Sequence, residues 1–305
     1  MGTRAQLRRG FRGLVKRYQA IEVDGGRAYL GDVEKLKSVD AIVFDCDGVL
    51  IDARRSYDEA IRKTIQHIFQ TLTGCRFPIS TISKDAIYNL RRSGGFNFDW
   101  DTTYVLALMV FTNLPKRFQR AFIEALEQVD EVGAIKRLMR TSSTLVGRLP
   151  KDYFKNRCGW LRDTIIKLSA SRIGDREAAE RLLLKLAEKL GCAQHLRDFM
   201  RFLAYPSDAS RSIISVVFDS YFYGSVLFKA LYGFESELRV EGGLIEKEKR
   251  IVVEETLRGL IEMLGEGRLG LATGRGSLAA KKTLGRLLDY FNSRGVVFLE
   301  DLKYK

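Results

Sequence analysis

Ala41-Ile42-Val43-Phe44-Asp45-Cys46-Asp47-Gly48-Val49-Leu50 is the stretch that decides the fold. Its apolar residues run unbroken into an acid, and continuous apolarity over so short a run suits a buried parallel strand. Two carboxylates, Asp45 and Asp47, then stand two positions apart at the strand end, with Gly48 able to turn the chain so that both reach one site. Like charges at that range repel, and are tolerated only where a cation, a proton or hydrogen bonds intervene. Magnesium suits such a pair, because it takes carboxylate oxygens and waters and bridges to substrate phosphate. The plainer alternative is that the two acids only cap a turn, as Asp often does before Gly.

Upstream, residues 21–30 alternate apolar and polar side chains around Asp24-Gly25-Gly26, which predicts a short β-hairpin. Downstream, Tyr57, Ile61, Ile65, Ile68 and Leu72 recur at helical spacing, and helical patterns dominate to about Lys229. Residues 251–264 place Val253, Leu257, Leu260, Ile261 and Leu264 on one helical face, stopped by Gly265 and Gly267. A strand over 269–272 follows and ends at Thr273-Gly274; Ser277 is placed to cap a helix running towards Leu288, and a last short strand covers 296–299. This alternation predicts an α/β fold, a doubly wound parallel sheet with its site at the carboxyl ends of the strands. The insertion after the first strand, roughly 190 residues, is too long for a loop and must form a second domain. The division is thus a basic extension with a hairpin (1–39), a core built from 40–53 and 246–305, and a large, mostly helical cap (54–245).

An apolar strand followed by DxDG, at Asp45 and Asp47, and a later apolar strand ending in Thr273 resemble the first two motifs of the haloacid dehalogenase superfamily. The resemblance implies a Rossmann-like core and a magnesium-dependent phosphomonoester hydrolase. Asp45 would form an aspartyl-phosphate, Asp47 would act as general acid and base, and both would serve the Mg2+. Thr273, Gly274 and the helix N-terminus behind them would bind the phosphoryl oxygens, with Arg275 as a further phosphate ligand or else a surface arginine on a turn. The segment Gly94-Gly95-Phe96-Asn97-Phe98-Asp99-Trp100-Asp101 looks like the cap of a subgroup of that superfamily with an ATGR second motif. Asn97, Asp99, Trp100 and Asp101 would then face the substrate; equally, the acids cap a helix starting near Thr102 and the aromatics fill the cap core. The superfamily also uses a lysine, for which Lys303 or Lys305 stands past the last strand, and an acidic pair on a fourth strand. No such strand is expected before Lys305, and Glu300 and Asp301, at the end of the third strand, lie too early to be an obvious replacement. The expectation is an incomplete core, truncated or completed by a separately encoded C-terminal fragment, whose first strand is left exposed as an edge.

The net charge of +13 is partly local, with Arg8, Arg9, Arg12 and Lys16 lying between Arg4 and Arg17 without an acid among them. This segment supports the rival function, a catalytically inactive interaction or nucleic-acid-binding protein. The preferred partner is a small phosphorylated metabolite, with nucleic acid and membrane not expected and a homo-oligomer in keeping with an open sheet edge. The cysteines Cys46, Cys75, Cys158 and Cys192 stand far apart, which argues against a disulfide framework or zinc knuckle and for a reducing, cytoplasmic setting. His67 and His195 read as structural, and the aromatics Phe218, Tyr221, Phe222, Tyr223 and Phe228 read as helix packing.

Overall fold

A computed structural model of the chain describes residues 19–23, 26–96, 98–129, 133–208 and 210–301. The basic segment 4–17, the hairpin turn at Asp24-Gly25, Asn97, Lys303 and Lys305 lie outside the described residues. The architecture is mixed α/β, a small parallel sheet joined to a helical body. Strands Gln19–Val23 and Gly26–Leu30 pair antiparallel as the alternation predicts.

The parallel sheet has three strands in the order Ile42–Phe44, Leu269–Ala272, Val296–Val297. Val43 is opposite Gly270 and Phe44 opposite Leu271, while Leu271 faces Val296 on the other side. The middle strand is buried at Leu269, Gly270 and Leu271. A Cβ at Gly270 would meet the Gly295 carbonyl oxygen at 3.1 Å and Val43 at 3.3 Å, so a larger residue there would have to push its neighbours by a few tenths of an ångström. The first strand corrects one expectation. It is not buried on both faces: Val43 is 67% exposed, because Ile42–Phe44 is an edge strand with the described chain pairing on one side only.

Around this sheet Leu50, Ile51, Leu257, Leu269, Leu271, Leu284 and Phe291 form a small apolar core. The helix expected over 251–264 spans Glu254–Leu264, because Lys249–Arg250 first pairs as a short strand with Ile51–Asp52. The N–H groups of Ile251 and Val252 also donate to the Leu50 carbonyl. Gly265, at φ +94°, ends that helix. The next helix, Ser277–Leu284, stops at Gly285 rather than running to Leu288, and continues as a 3-10 helix, Gly285–Tyr290.

The helical body has its own, much larger core. Helix Arg54–Thr73 buries Ile61, Ile65, Ile68 and Leu72, as their spacing predicts, and ends at Gly74 in the left-handed region. It packs against helices Asp99–Thr112, Ala134–Leu145 and Ile213–Tyr232. Helix Ile213–Tyr232 is long and apolar enough to cross a bilayer, yet 61% of its most apolar window is buried, so neighbouring helices account for its composition. It is broken at Gly224, where φ is 71° and ψ 166°, and a side chain there would lie 2.6 Å from the Gly243 nitrogen. Only glycine satisfies both the angle and the approach. Tyr57 packs against both cores and so joins body to sheet.

Candidate active site

Side-chain alternation sorts the opening motif. Cys46 points into the sheet's core, wholly buried, while Asp45 and Asp47 on either side of it face a cavity. Gly48, at φ +81°, lets the loop close on itself: the Cys46 carbonyl accepts the N–H of Leu50 at 2.8 Å and of Ile51 at 3.0 Å. Burial, with help from the Asp47 charge, pushes the Cys46 thiol up to about 12, which makes it a core side chain and not a thiolate nucleophile.

Because the first strand lies beside Leu269–Ala272, Asp45 and Thr273 emerge at the same end of the sheet. Asp45, Asp47, Thr273, Gly274 and Arg275 line one cavity of about 530 Å³. Asp99 and Trp100 line it from the helical body. Of the cap residues singled out in the sequence, Asp101 does not: its carboxylate accepts from the Tyr205 hydroxyl at 2.7 Å and faces Arg176 at 3.5 Å. The helix there begins at Asp99, three residues earlier than expected, so Asp99 and Asp101 sit in its first turn, where the dipole favours acids.

The polar groups of the cavity are held by specific partners. The Arg275 side chain is wholly enclosed; its Nη1 donates to Asp47 Oδ1 at 2.7 Å, and its Nη2 to Glu248 and, at 3.1 Å, to Thr283. Ser56 also donates to Glu248. This corrects both roles considered for Arg275. It is neither a surface arginine nor open to a phosphate as placed; a buried guanidinium needs anions around it, and two protein carboxylates supply them. Burial pushes the Asp47 carboxyl above its usual range, against the pull of Arg275, and burial likewise raises Asp99, whose charge is met by Arg91 at 2.7 Å.

The phosphate-binding end also differs in detail. Gly276, not Ser277, is the N-cap of helix Ser277–Leu284, and the Ser277 N–H donates to both Glu300 carboxylate oxygens at 3.0 Å. A protein acid thus occupies the anion-favouring end of that helix. Asp301 accepts from the Phe298 N–H at 2.8 Å. Thr273 accepts the Arg275 N–H at 3.1 Å, leaving its own hydroxyl hydrogen to donate. A Cβ at Gly274 would meet nothing within 4 Å, so open space adjoins its backbone.

Among the described residues no three His, Cys, Asp or Glu side chains gather as a metal cage. The Asp45 carboxylate is exposed, holds one bond from the Cys46 N–H at 2.7 Å and has no cation in ion-pair range among the described residues. That fits a magnesium ion anchored on Asp45 with water completing its shell. Asp47, expected as a second ligand, has its carboxylate turned to Arg275 instead.

Sequence reasoning missed several contributors. Glu248 is remote from both motifs, and Tyr57, Phe218, Phe222 and Tyr223, read as packing residues, also line the cavity. Asp219 lines it too, and its signal was present: it is the one charged residue between Ile213 and Phe228, and an acid in so apolar a helix is costly unless it has a task.

No family model matches the chain, and no curated protein matches it. Two solved structures resemble it. Phosphatase Tt82 from Thermococcus thioreducens aligns with 86% of this chain and 73% of its own, at 23% identity and a TM-score of 0.44. Target ZR25 of the Northeast Structural Genomics Consortium aligns with 86% of this chain and 70% of its own, at 19% identity and a TM-score of 0.61. This chain is thus similar in fold to the ZR25 protein, a likeness of architecture alone.

Proposed function

We propose that this chain is a phosphomonoester hydrolase built on a Rossmann-like core of the haloacid dehalogenase type, with the helical body as a cap over its site. One observation carries the reading: Asp45, Asp47 and Thr273, from neighbouring strand ends far apart in sequence, line a single cavity closed on its other side by the helical body. The described sheet is open beside Ile42–Phe44, so a further strand, from a second copy or a separately encoded fragment, has a place to pair.

In this reaction an Asp45 oxygen attacks phosphorus and the bond from phosphorus to the ester oxygen breaks. Asp47 gives its proton to the leaving oxygen, which departs as an alcohol. With Oδ1 held by Arg275, Oδ2 of Asp47 is the oxygen to carry the proton. Water then attacks phosphorus, Asp47 takes the water's proton, and the bond from phosphorus to Asp45 breaks to release phosphate. The Thr273 hydroxyl and the Gly274 N–H hold the phosphoryl oxygens. Magnesium, when bound through Asp45, would neutralise charge on those oxygens.

The test is turnover of a panel of phosphorylated metabolites with magnesium present. Asp45→Asn should lose activity by about 10⁴-fold or more, the scale on which nucleophile removal acts. Equal rates for variant and parent would remove Asp45 from the mechanism.

A further inference from the structure

The acids around the cavity are not equivalent. Asp47 is paired with Arg275, and Asp99 with Arg91. Asp219, 2% exposed on helix Ile213–Tyr232, has no cation in ion-pair range among the described residues. Its Oδ1 accepts the Trp100 indole N–H at 3.2 Å and its Oδ2 accepts the Tyr232 hydroxyl. Each carboxylate oxygen can accept more than one hydrogen bond, so capacity remains. Neutral donors fix where the carboxylate points without balancing its charge, and a buried charge left unbalanced is costly. Trp100, Phe218 and Tyr223 line the cavity with it. The faces of such rings carry negative potential and attract cations.

We infer that the helical side of the cavity recognises an ammonium group through Asp219 and the aromatic wall of Trp100, Phe218 and Tyr223, so that the substrate is the phosphomonoester of an amino alcohol. The inference rests on the phosphatase reading for the phosphate end only. A hydroxyl could hydrogen-bond to Asp219 but would leave its charge unmatched; an ammonium group, quaternary or not, matches that charge. The two ends of the cavity then suit opposite charges, phosphate beside Thr273 and a cation beside Asp219. A volume of about 530 Å³ has room for a ligand of that size. Burial raises the Asp219 carboxyl to about 7, so near neutrality it is only partly protonated and a bound cation draws it to the carboxylate form.

The experiment compares pairs of esters that differ only in the cation: choline phosphate against 3,3-dimethylbutyl phosphate, and ethanolamine phosphate against ethylene glycol monophosphate, all with magnesium. The parent protein should favour the ammonium member in kcat/KM by about tenfold or more. Asp219→Asn, nearly isosteric, should bring that ratio close to one. In parallel, choline and 3,3-dimethylbutanol, neither bearing phosphate, are titrated calorimetrically, and only choline should bind. Equal kcat/KM within the pairs, or a preference that persists in Asp219→Asn, overturns the inference. If no ester is hydrolysed but choline binds and Asp219→Asn abolishes it, the phosphatase reading fails and the cation site stands. If esters are hydrolysed without preference and choline does not bind, the cation site fails alone.

Discussion

The sheet and the helical body contribute to one cavity in opposite ways. The sheet end supplies Asp45, Asp47 and Thr273 from short segments right at strand termini, over a small core with one strand edge open. The helical body supplies Asp99 and Trp100 from the first turn of a helix buried from Thr102 to Thr112, and Asp219 from the buried stretch 213–220 of another. Reactive groups at strand ends cost little to place, because the chain is leaving regular structure there. An acid in the middle of an apolar helix is held against a desolvation penalty, and only a specific partner or ligand offsets it. On the proposed reading the sheet side carries the chemistry and the helical side the recognition.

The largest effect expected from probing this contrast lies at the junction. Arg275→Met leaves Glu248, whose side chain is wholly enclosed, without its cation, and should destabilise the fold by about 3–5 kcal/mol in denaturant unfolding. Adding Glu248→Gln should recover part of that loss. A single variant as stable as the parent would show that the buried pair does not hold the motif loop.

Asp219 gives a smaller, pH-dependent effect on the helical side. Its carboxyl is raised from 3.8 to about 7 by burial, against the hydrogen bonds from Tyr232 and Trp100, so the folded state holds its proton more tightly than the unfolded state. Its contribution to stability is thus complete below about pH 4 and is lost as pH rises towards about 7, at up to roughly 1.4 kcal/mol per pH unit. The stability of Asp219→Asn relative to the parent should accordingly improve from pH 4 to pH 7 and level off above. A difference that does not change with pH would mean that Asp219 is not desolvated in solution.

The smallest effect belongs to the open edge. Val43→Lys, at a residue 67% exposed, should change stability by no more than about 0.5 kcal/mol. A larger loss, or a change in oligomeric state on gel filtration, would reveal that another strand covers that edge.

Much of the fold was legible because its signals are local. The DxDG turn at Asp45, the helix pattern from Tyr57 to Leu72 closed by Gly74, and the strand Leu269–Ala272 all depend on residues within one or two turns of each other. The starts of helices Glu254–Leu264 and Asp99–Thr112 were misplaced by three residues each, because strand pairing at Lys249–Arg250 delays the first, while the second begins before the apolar pattern shows it. The candidate site was legible at its strand ends and hidden on its helical side, where packing aromatics and cavity aromatics share the same helical spacing.

By itself, the sequence determined the strands at Ile42–Phe44 and Leu269–Ala272, the long helix between Tyr57 and Leu72, and which residue types stand at the strand ends, since backbone preference and apolar period are written residue by residue. Only the tertiary structure decided that Arg275 is spent on Asp47 and Glu248, that Glu300 takes the helix end next to Thr273, and that Asp219 enters the cavity without a cation beside it among the described residues. Each of these depends on burial and on partners distant along the chain. How much a charge costs, and what can neutralise it, is fixed by the surroundings that folding assembles.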